Sequence, residues 1–318
     1  MNYKPILIIG GDPKSIFFEI FFKTLKKIKV KNPILLIASN KLLKEEMKIF
    51  GFKGKVYIID TKKISNIKLK KNCLNVIDIK LDIKKIDQKK VVKQYIKECF
   101  DEAFKLIKLK ISNKFINGPI TKEVFLDKKF LGVTEYIADK FKIKNVAMLI
   151  FNKKHSVSPI TTHLPVKNIS KSLNKKKILD KIILINKFYK NHLKRKPNIA
   201  VTGLNPHCES VSKFNEDEKI VKPCVQKLNK KGLKIKGPFP ADTIFQKSNR
   251  DKFDVIVGMY HDQVLTPLKT LYEFDAINIT LGLPFVRVSP DHGPNIKMFR
   301  KNKSNPLSLI RAIEFLDR

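Results

Sequence analysis

Residues 5–12 read Pro5-Ile6-Leu7-Ile8-Ile9-Gly10-Gly11-Asp12, an apolar run closed by two glycines and a carboxylate. Short, fully apolar and bounded by turn residues, it reads as a buried first strand. A helical pattern follows over 15–29. Then come a strand from Pro33 to Ser39, a helix from Lys41 to Phe50 and a strand from Lys55 to Asp60. Residues 61–87 are lysine-rich and weakly periodic, a surface excursion with a short strand at Asn75–Ile79. A helix from Lys89 to Lys108 places Val92, Tyr95, Ile96, Cys99, Phe100, Ala103, Phe104 and Ile107 on one face. Lys114–Asn117 is the next strand, and Gly118-Pro119-Ile120-Thr121-Lys122-Glu123 turns into another helix. Beyond it the pattern predicts strands at Val146–Asn152 and Ser156–Thr162, and a long helix near Ile169–His192. A strand at Pro197–Leu204 and a helix near Asp217–Lys231 follow. Strands at Asp254–Met259 and Ala276–Thr280 and a final helix from Pro306 to Leu316 complete the chain. This alternation argues an α/β fold with a mostly parallel or mixed sheet.

At 318 residues the chain is long enough for two lobes, each with a substantial core. A hydrophobic content of 43% is globular. No apolar run approaches the roughly 20 residues of a membrane span, and the opening strand is too short and wrongly flanked for a signal peptide. Cys73, Cys99, Cys208 and Cys224 form no C-x-x-C pair, so reduced thiols in a cytoplasm are the expectation. The formal net charge of +37 comes almost wholly from lysines spread along the whole chain. A nucleic-acid footprint is a clustered patch with arginine prominent. The charge therefore reads as a solvated surface that attracts anionic metabolites, with neither nucleic acid nor membrane as partner.

Three histidines end strand-like runs: Thr162-His163-Leu164-Pro165, Asn205-Pro206-His207 and Tyr260-His261-Asp262. Each alone is more often structural. Three at strand carboxyl ends favour a metal site, because ligand sites of open α/β sheets lie beyond those ends and neutral imidazoles suit divalent ions. Asp242 is either a loop cap or a further ligand or orienting group. Lys269 and Arg287 are surface cations or anion binders. Arg287 stands out because arginine is rare here and a guanidinium binds phosphate or carboxylate in bidentate fashion. Asn278 lies inside an apolar strand run, where its amide serves either binding or a structural hydrogen bond. His292-Gly293-Pro294 and Asn305-Pro306 bracket a basic loop, read as a helix lead-in or as a cofactor loop. No P-loop and no G-x-G-x-x-G is present, so Gly10-Gly11-Asp12-Pro13 gives weak support to a Rossmann cradle.

Taken together, these motifs resemble the 4-hydroxythreonine-4-phosphate dehydrogenases of vitamin B6 (pyridoxal 5'-phosphate) synthesis, over essentially the whole chain. The matching segments are Gly11-Asp12-Pro13, Gly118-Pro119-Ile120-Thr121-Lys122-Glu123, Thr162-His163-Leu164-Pro165 and Gly203-Leu204-Asn205-Pro206-His207. They continue with Gly237-Pro238-Phe239-Pro240-Ala241-Asp242-Thr243, Met259-Tyr260-His261-Asp262-Gln263, Asn278 to Phe285, and Asp291-His292-Gly293. The resemblance implies the isocitrate/isopropylmalate dehydrogenase type of fold, two α/β lobes with the active site in the cleft between them and a homodimer completing each site. Residues 1–125 with 260–318 are expected to form the cofactor-side lobe, and 126–259 the dimer and metal side. It implies a divalent metal (Zn, Mg, Mn or Co) on His163, His207 and His261, one of them supplied by the other subunit. It further implies substrate binding by Thr134, Lys269, Asn278 and Arg287, and NAD on a loop including His292, Gly293 and Asn305. Lys269 and Asp242 are the candidate catalytic proton carriers. The implied reaction oxidises the C3 alcohol of 4-phosphooxy-L-threonine with NAD, and the resulting 3-oxo acid loses CO2.

Departures from the family pattern are specific. The usual Gly-Asp-Pro-Ala-Gly-Ile-Gly-Pro-Glu carries Lys14, Ser15, Ile16, Phe17 and Phe18 before Glu19, and the usual Gly-His-Thr-Glu is Gly132-Val133-Thr134-Glu135. Cys208-Glu209-Ser210-Val211-Ser212 replaces a small, glycine-rich segment. Val264 stands where glycine is usual, and Pro294-Asn295 replaces a small pair. Bulky residues in place of glycine are expected to fill space near the ligand. A dehydrogenase of another phosphorylated hydroxy acid, such as threonate 4-phosphate, is the alternative. So is a metabolite-binding descendant without catalysis.

Overall fold

The computed structural model describes residues 4–60, 69–126, 129–209 and 214–318. Residues 61–68 of the expected 61–87 excursion and the substituted Ser210-Val211-Ser212 lie outside the described residues. The chain forms two compact units, one of residues up to 133 plus 284–318 and one of 134–283.

The first unit begins with β1 (Ile6–Ile9), α1 (Phe17–Lys27), β2 (Ile34–Ala38), α2 (Asn40–Ile49), β3 (Val56–Ile58) and β4 (Leu74–Asp78). It continues with α3 (Lys89–Lys108), β5 (Lys114–Asn117) and α4 (Lys122–Phe125). The second unit runs through α5 (Val133–Lys140), β6 (Ala147–Phe151), β7 (Ser156–Thr161), α6 (Ile169–Ser172), α7 (Lys175–His192) and β8 (Ile199–Thr202). Then come α8 (Lys222–Lys230), β9 (Ile235–Phe239), α9 (Ala241–Ile244), α10 (Lys247–Arg250), β10 (Val255–Tyr260), α11 (His261–Tyr272) and β11 (Ile277–Leu281). The chain returns to the first unit with β12 (Val286–Pro290) and α12 (Leu307–Leu316).

In the first unit the strand order is β3-β4-β2-β1-β5-β12, all parallel. Strands β1, β2 and β5 are apolar on both faces because helices cover both, and Ile6 through Ile9 are fully buried. In the second unit β11, β6 and β7 run antiparallel to their neighbours, and β7, β10, β8 and β9 run parallel. The expected mixed α/β architecture is therefore observed in both units.

Several expected elements differ. Residues 260–283, expected with the first lobe, fold in the second unit. The cause is pairing: β10 lies between β7 and β8, α11 packs on β7 and β10, and β11 pairs with β6. No element is expected between Met259 and Ala276, yet His261 to Tyr272 form helix α11, with Val264, Leu265 and Leu268 buried at helical spacing. Pro267 inside that helix disguised the pattern. The long helix at Ile169–His192 breaks at Leu173. Asn174 then restarts it by accepting a capping hydrogen bond from Lys177 N at 2.9 Å.

Candidate functional site

In the first unit the chain leaves β1 toward β2 on one side while β5 lies on the other, the topological switch where open sheets hold ligands. The loops after β1 and β5 are locked together there. Asp12 N donates to Pro119 O at 2.9 Å, and the Asp12 carboxylate accepts the Thr121 hydroxyl at 2.6 Å and Lys14 N at 3.0 Å. Gly11 has φ +73°, and a Cβ there would stand 2.2 Å from Pro119 O, so only glycine fits. The substituted segment 14–18 contains no positive φ. Phe17 and Phe18 are buried, with Phe17 stacked on Phe21 at 5.4 Å and packed beneath Gly10 and Gly118. These rings enlarge the core, contrary to the expectation that they fill ligand space.

Arg287 on β12 is 3% exposed, so the surface-cation reading fails. Its Nε donates to Asn117 Oδ1 at 2.8 Å at the end of β5, while Asn117 Nδ2 donates to Gly118 O at 3.0 Å. The loop from Asp291 to Asn305 is held at several points. Ile16 N donates to Pro294 O at 3.2 Å, and Arg300 ion-pairs with Glu45 and Glu46 of α2 at 2.6 Å each. Lys23 bonds Glu19 at 2.8 Å and the carbonyls of Asn302 and Ser304 at 3.0 Å each. Asn295, Arg300 and Asn302 all take left-handed backbone conformations, which this scaffold keeps in place. Gly293 faces open space, and His292 Nδ1 sits 3.2 Å from Gly293 O. Asn305 Oδ1 accepts from Leu307 N at 2.9 Å, so this side chain starts helix α12 whatever else it binds.

In the second unit His163, His261 and His207 follow the carboxyl ends of the adjacent parallel strands β7, β10 and β8. The structure gathers two of them: the His163 and His261 rings lie 5.9 Å apart between centroids. His261 Nδ1 is 2.6 Å from Asp262 Oδ1, which fixes the ring and leaves Nε2 for a ligand. His207 is exposed on a left-handed turn (φ 56°) and is not brought into a group with the other two. Among the described residues no set of three or more His, Cys, Asp or Glu is arranged to hold a metal ion. Asp242 is exposed at the start of α9, and its charge helps to raise the Cys208 thiol, after burial and Asp217. It therefore belongs with His207. Lys269 is exposed on α11, two turns beyond His261.

Thr134 is buried at the start of α5, its hydroxyl 3.4 Å from that of Thr280 on β11. Asn278 lies two residues earlier on the same face, and its buried Oδ1 has no hydrogen-bond partner among the described residues. The structural-bond reading of that oxygen is thus unsupported. Reading motifs missed Glu135, whose Oε2 is likewise buried without a partner. It also missed Lys181 of α7, which burial draws down to about 8 against the pull of Glu135. No sequence signal distinguished this lysine from its many neighbours. The substituted Val264 is fully buried and packs where a Cβ on Gly258 would meet it at 2.4 Å, so it too is core.

Residues 29–316 match the family described as pyridoxal phosphate biosynthetic protein PdxA. The chain belongs to the PdxA family. A relative from Sulfurihydrogenibium sp. (strain YO3AOP1), named 4-hydroxythreonine-4-phosphate dehydrogenase, is 37% identical over 97% of this chain and 96% of its own. A D-threonate 4-phosphate dehydrogenase from Pectobacterium atrosepticum is 28% identical over 98% of each. The crystal structure of a 4-hydroxythreonine-4-phosphate dehydrogenase from Klebsiella pneumoniae superposes with TM-score 0.81 at 29% identity, covering 98% of both chains. An isocitrate dehydrogenase from Methylococcus capsulatus shares the fold at TM-score 0.51 and 10% identity, covering 97% of this chain and 83% of its own. The expected PdxA and isocitrate dehydrogenase type of fold is thereby observed.

Proposed function

We propose that this PdxA-family chain oxidises the C3 alcohol of 4-phosphooxy-L-threonine with NAD, and that the 3-oxo acid then loses CO2, in pyridoxal 5'-phosphate synthesis. The observation that carries the reading is the paired His163 and His261 at adjacent strand ends, one oriented by a carboxylate. This donor set fits a divalent ion of the zinc class. His207 is proposed as the third ligand, serving the site of a second copy in a homodimer. When bound, the ion would acidify the substrate alcohol and polarise the carbonyl that replaces it.

The chain's own residues supply positioning and charge. Thr134 and Asn278 present a hydroxyl and an unspent amide oxygen on one face of the second unit. Lys269 offers an exposed cation for phosphate or carboxylate, and Arg287 a buried guanidinium whose orientation Asn117 sets. Lys269 and Asp242 are the proposed proton carriers: the alcohol proton leaves to a side chain as the hydride leaves to the nicotinamide. The first unit is proposed as the cofactor side. Its loop with His292, Gly293 and Asn305 is pre-shaped by Arg300, Lys23 and Glu19.

D-threonate 4-phosphate is the second reading. The similar Pectobacterium enzyme named for that substrate favours it, as does Val133 in place of the family's histidine beside Thr134. Purified protein with NAD, a divalent ion and each substrate in turn separates the two, reading NADH by its near-ultraviolet absorbance. NADH from 4-phosphooxy-L-threonine is the expected result. Turnover of the threonate phosphate alone transfers the assignment.

A further inference from the structure

We infer that Asp217 is a positioning residue, the buried carboxylate that holds the backbone of the His207 loop in the conformation that presents this histidine. The inference rests on the reading of His207 as a metal ligand. Strand β8 ends at Thr202; Gly203 N still donates to Phe239 O of β9 at 2.9 Å, and the amides of Leu204 and Asn205 have left the sheet. Asp217, 0% exposed, takes them over: Oδ1 accepts Leu204 N at 2.6 Å, and Oδ2 accepts Asn205 N at 3.0 Å and Asn205 Nδ2 at 3.1 Å. The backbone of Asp217 is itself held, because Asp217 N donates to Asn215 Oδ1 at 2.9 Å. Glu216 adds a second hold on Asn205 Nδ2 at 3.2 Å and is tied to the Ser170 hydroxyl.

Immediately past this clamp the backbone turns left-handed. His207 and Cys208 have φ of 56° and 62°, two successive side-chain-bearing residues in that region. Such a pair persists only where its surroundings hold it. Gly203 completes the fit, because a Cβ there would stand 2.7 Å from Cys208 Sγ and 3.1 Å from Asp217 Oδ1. The imidazole of His207 is exposed and makes no hydrogen bond among the described residues. The backbone therefore sets where its Cβ stands, and Asp217 holds the strand end from which that backbone turns. An asparagine at 217 keeps the size but has one acceptor oxygen for three donors.

The test is calorimetric titration of the chelator-stripped, full-length protein with Zn²⁺. The variants are D217N, N205A, H207A and, as a control for general destabilisation, I185A on the buried face of α7. D217N is expected to weaken Zn²⁺ binding roughly 10- to 100-fold, the usual effect of losing an outer partner of a ligand. N205A, which deletes one donor and spares the carboxylate, is expected to weaken it less and serves if D217N does not fold. I185A is expected to lower the melting temperature and leave affinity unchanged. Wild-type affinity in H207A removes the ligand reading itself. Weakened binding in H207A with wild-type affinity in D217N or N205A overturns the positioning role alone. Equal weakening in I185A and D217N also overturns it, because the effect would then be loss of stability.

Discussion

Arg287 and His207 stand at opposite extremes of burial, and their variants should fail in opposite ways. Removing the guanidinium breaks a charged hydrogen bond inside the protein, worth about 1.5–3 kcal/mol. Arg287→Lys keeps the charge but loses the planar fork. It should lower the melting temperature and raise KM for the phosphorylated substrate at least about tenfold, since a bidentate contact becomes a point charge. An unchanged KM would make Arg287 structural only. His207→Ala should abolish metal-dependent turnover while leaving the melting temperature within a few degrees, because an exposed imidazole at a loop end contributes little to the core. Full activity in that variant removes His207 from the site. Val133→His should leave the fold intact and, if the native substrate is 4-phosphooxy-L-threonine, should not lower turnover. A loss of turnover would favour threonate phosphate.

At the scale of elements, strand ends decide what can change. Gly11→Ala places a Cβ against Pro119 O in a left-handed backbone, so it should destabilise by about 2–4 kcal/mol in denaturant unfolding. Near-neutral stability would mean the loops after β1 and β5 are not locked together. His155, just before β7, contacts the Tyr272 hydroxyl at the end of α11 and lies 3.2 Å from Asp251. Burial lowers its pKa, and Asp251 only partly offsets this. The unfolded chain therefore binds a proton below about pH 6.5 that the folded chain resists, so stability is lost as pH falls through that region. His192 shifts in the same direction. Melting temperature should drop on acidification below that pH, less steeply in His155→Gln. An identical slope would refute the assignment.

β1, β2, α2, α3 and β5 declared themselves through uninterrupted periodicity and end close to their expected bounds. α11 did not, because Pro267 mimics a stop and the buried Val264, Leu265 and Leu268 look like strand residues. β12 is five residues between turns and carries an arginine, so only its parallel pairing with β5 reveals it. Histidines at strand ends were legible because their neighbours are turn residues. Asp217, Asp12 and Glu135 were not, because a carboxylate's role depends on which amides or amines the fold brings to it.

For the whole molecule, net charge governs non-specific binding and assembly bears on the proposed metal site. A net charge of +37 spread over the chain attracts polyanions non-specifically at low ionic strength. Filter binding of duplex DNA should therefore vanish at physiological salt, and retention there would restore a nucleic-acid role. No described helix is long and apolar enough to cross a membrane. In the proposed metal site His163 and His261 share one divalent ion with His207 of a second copy. Anomalous diffraction from crystals grown with Zn²⁺ tests it most directly. One metal peak per site is expected, bound by those three side chains, with His207 reaching it from the other protomer. A peak elsewhere, or His163 and His261 facing each other with no metal, would contradict it.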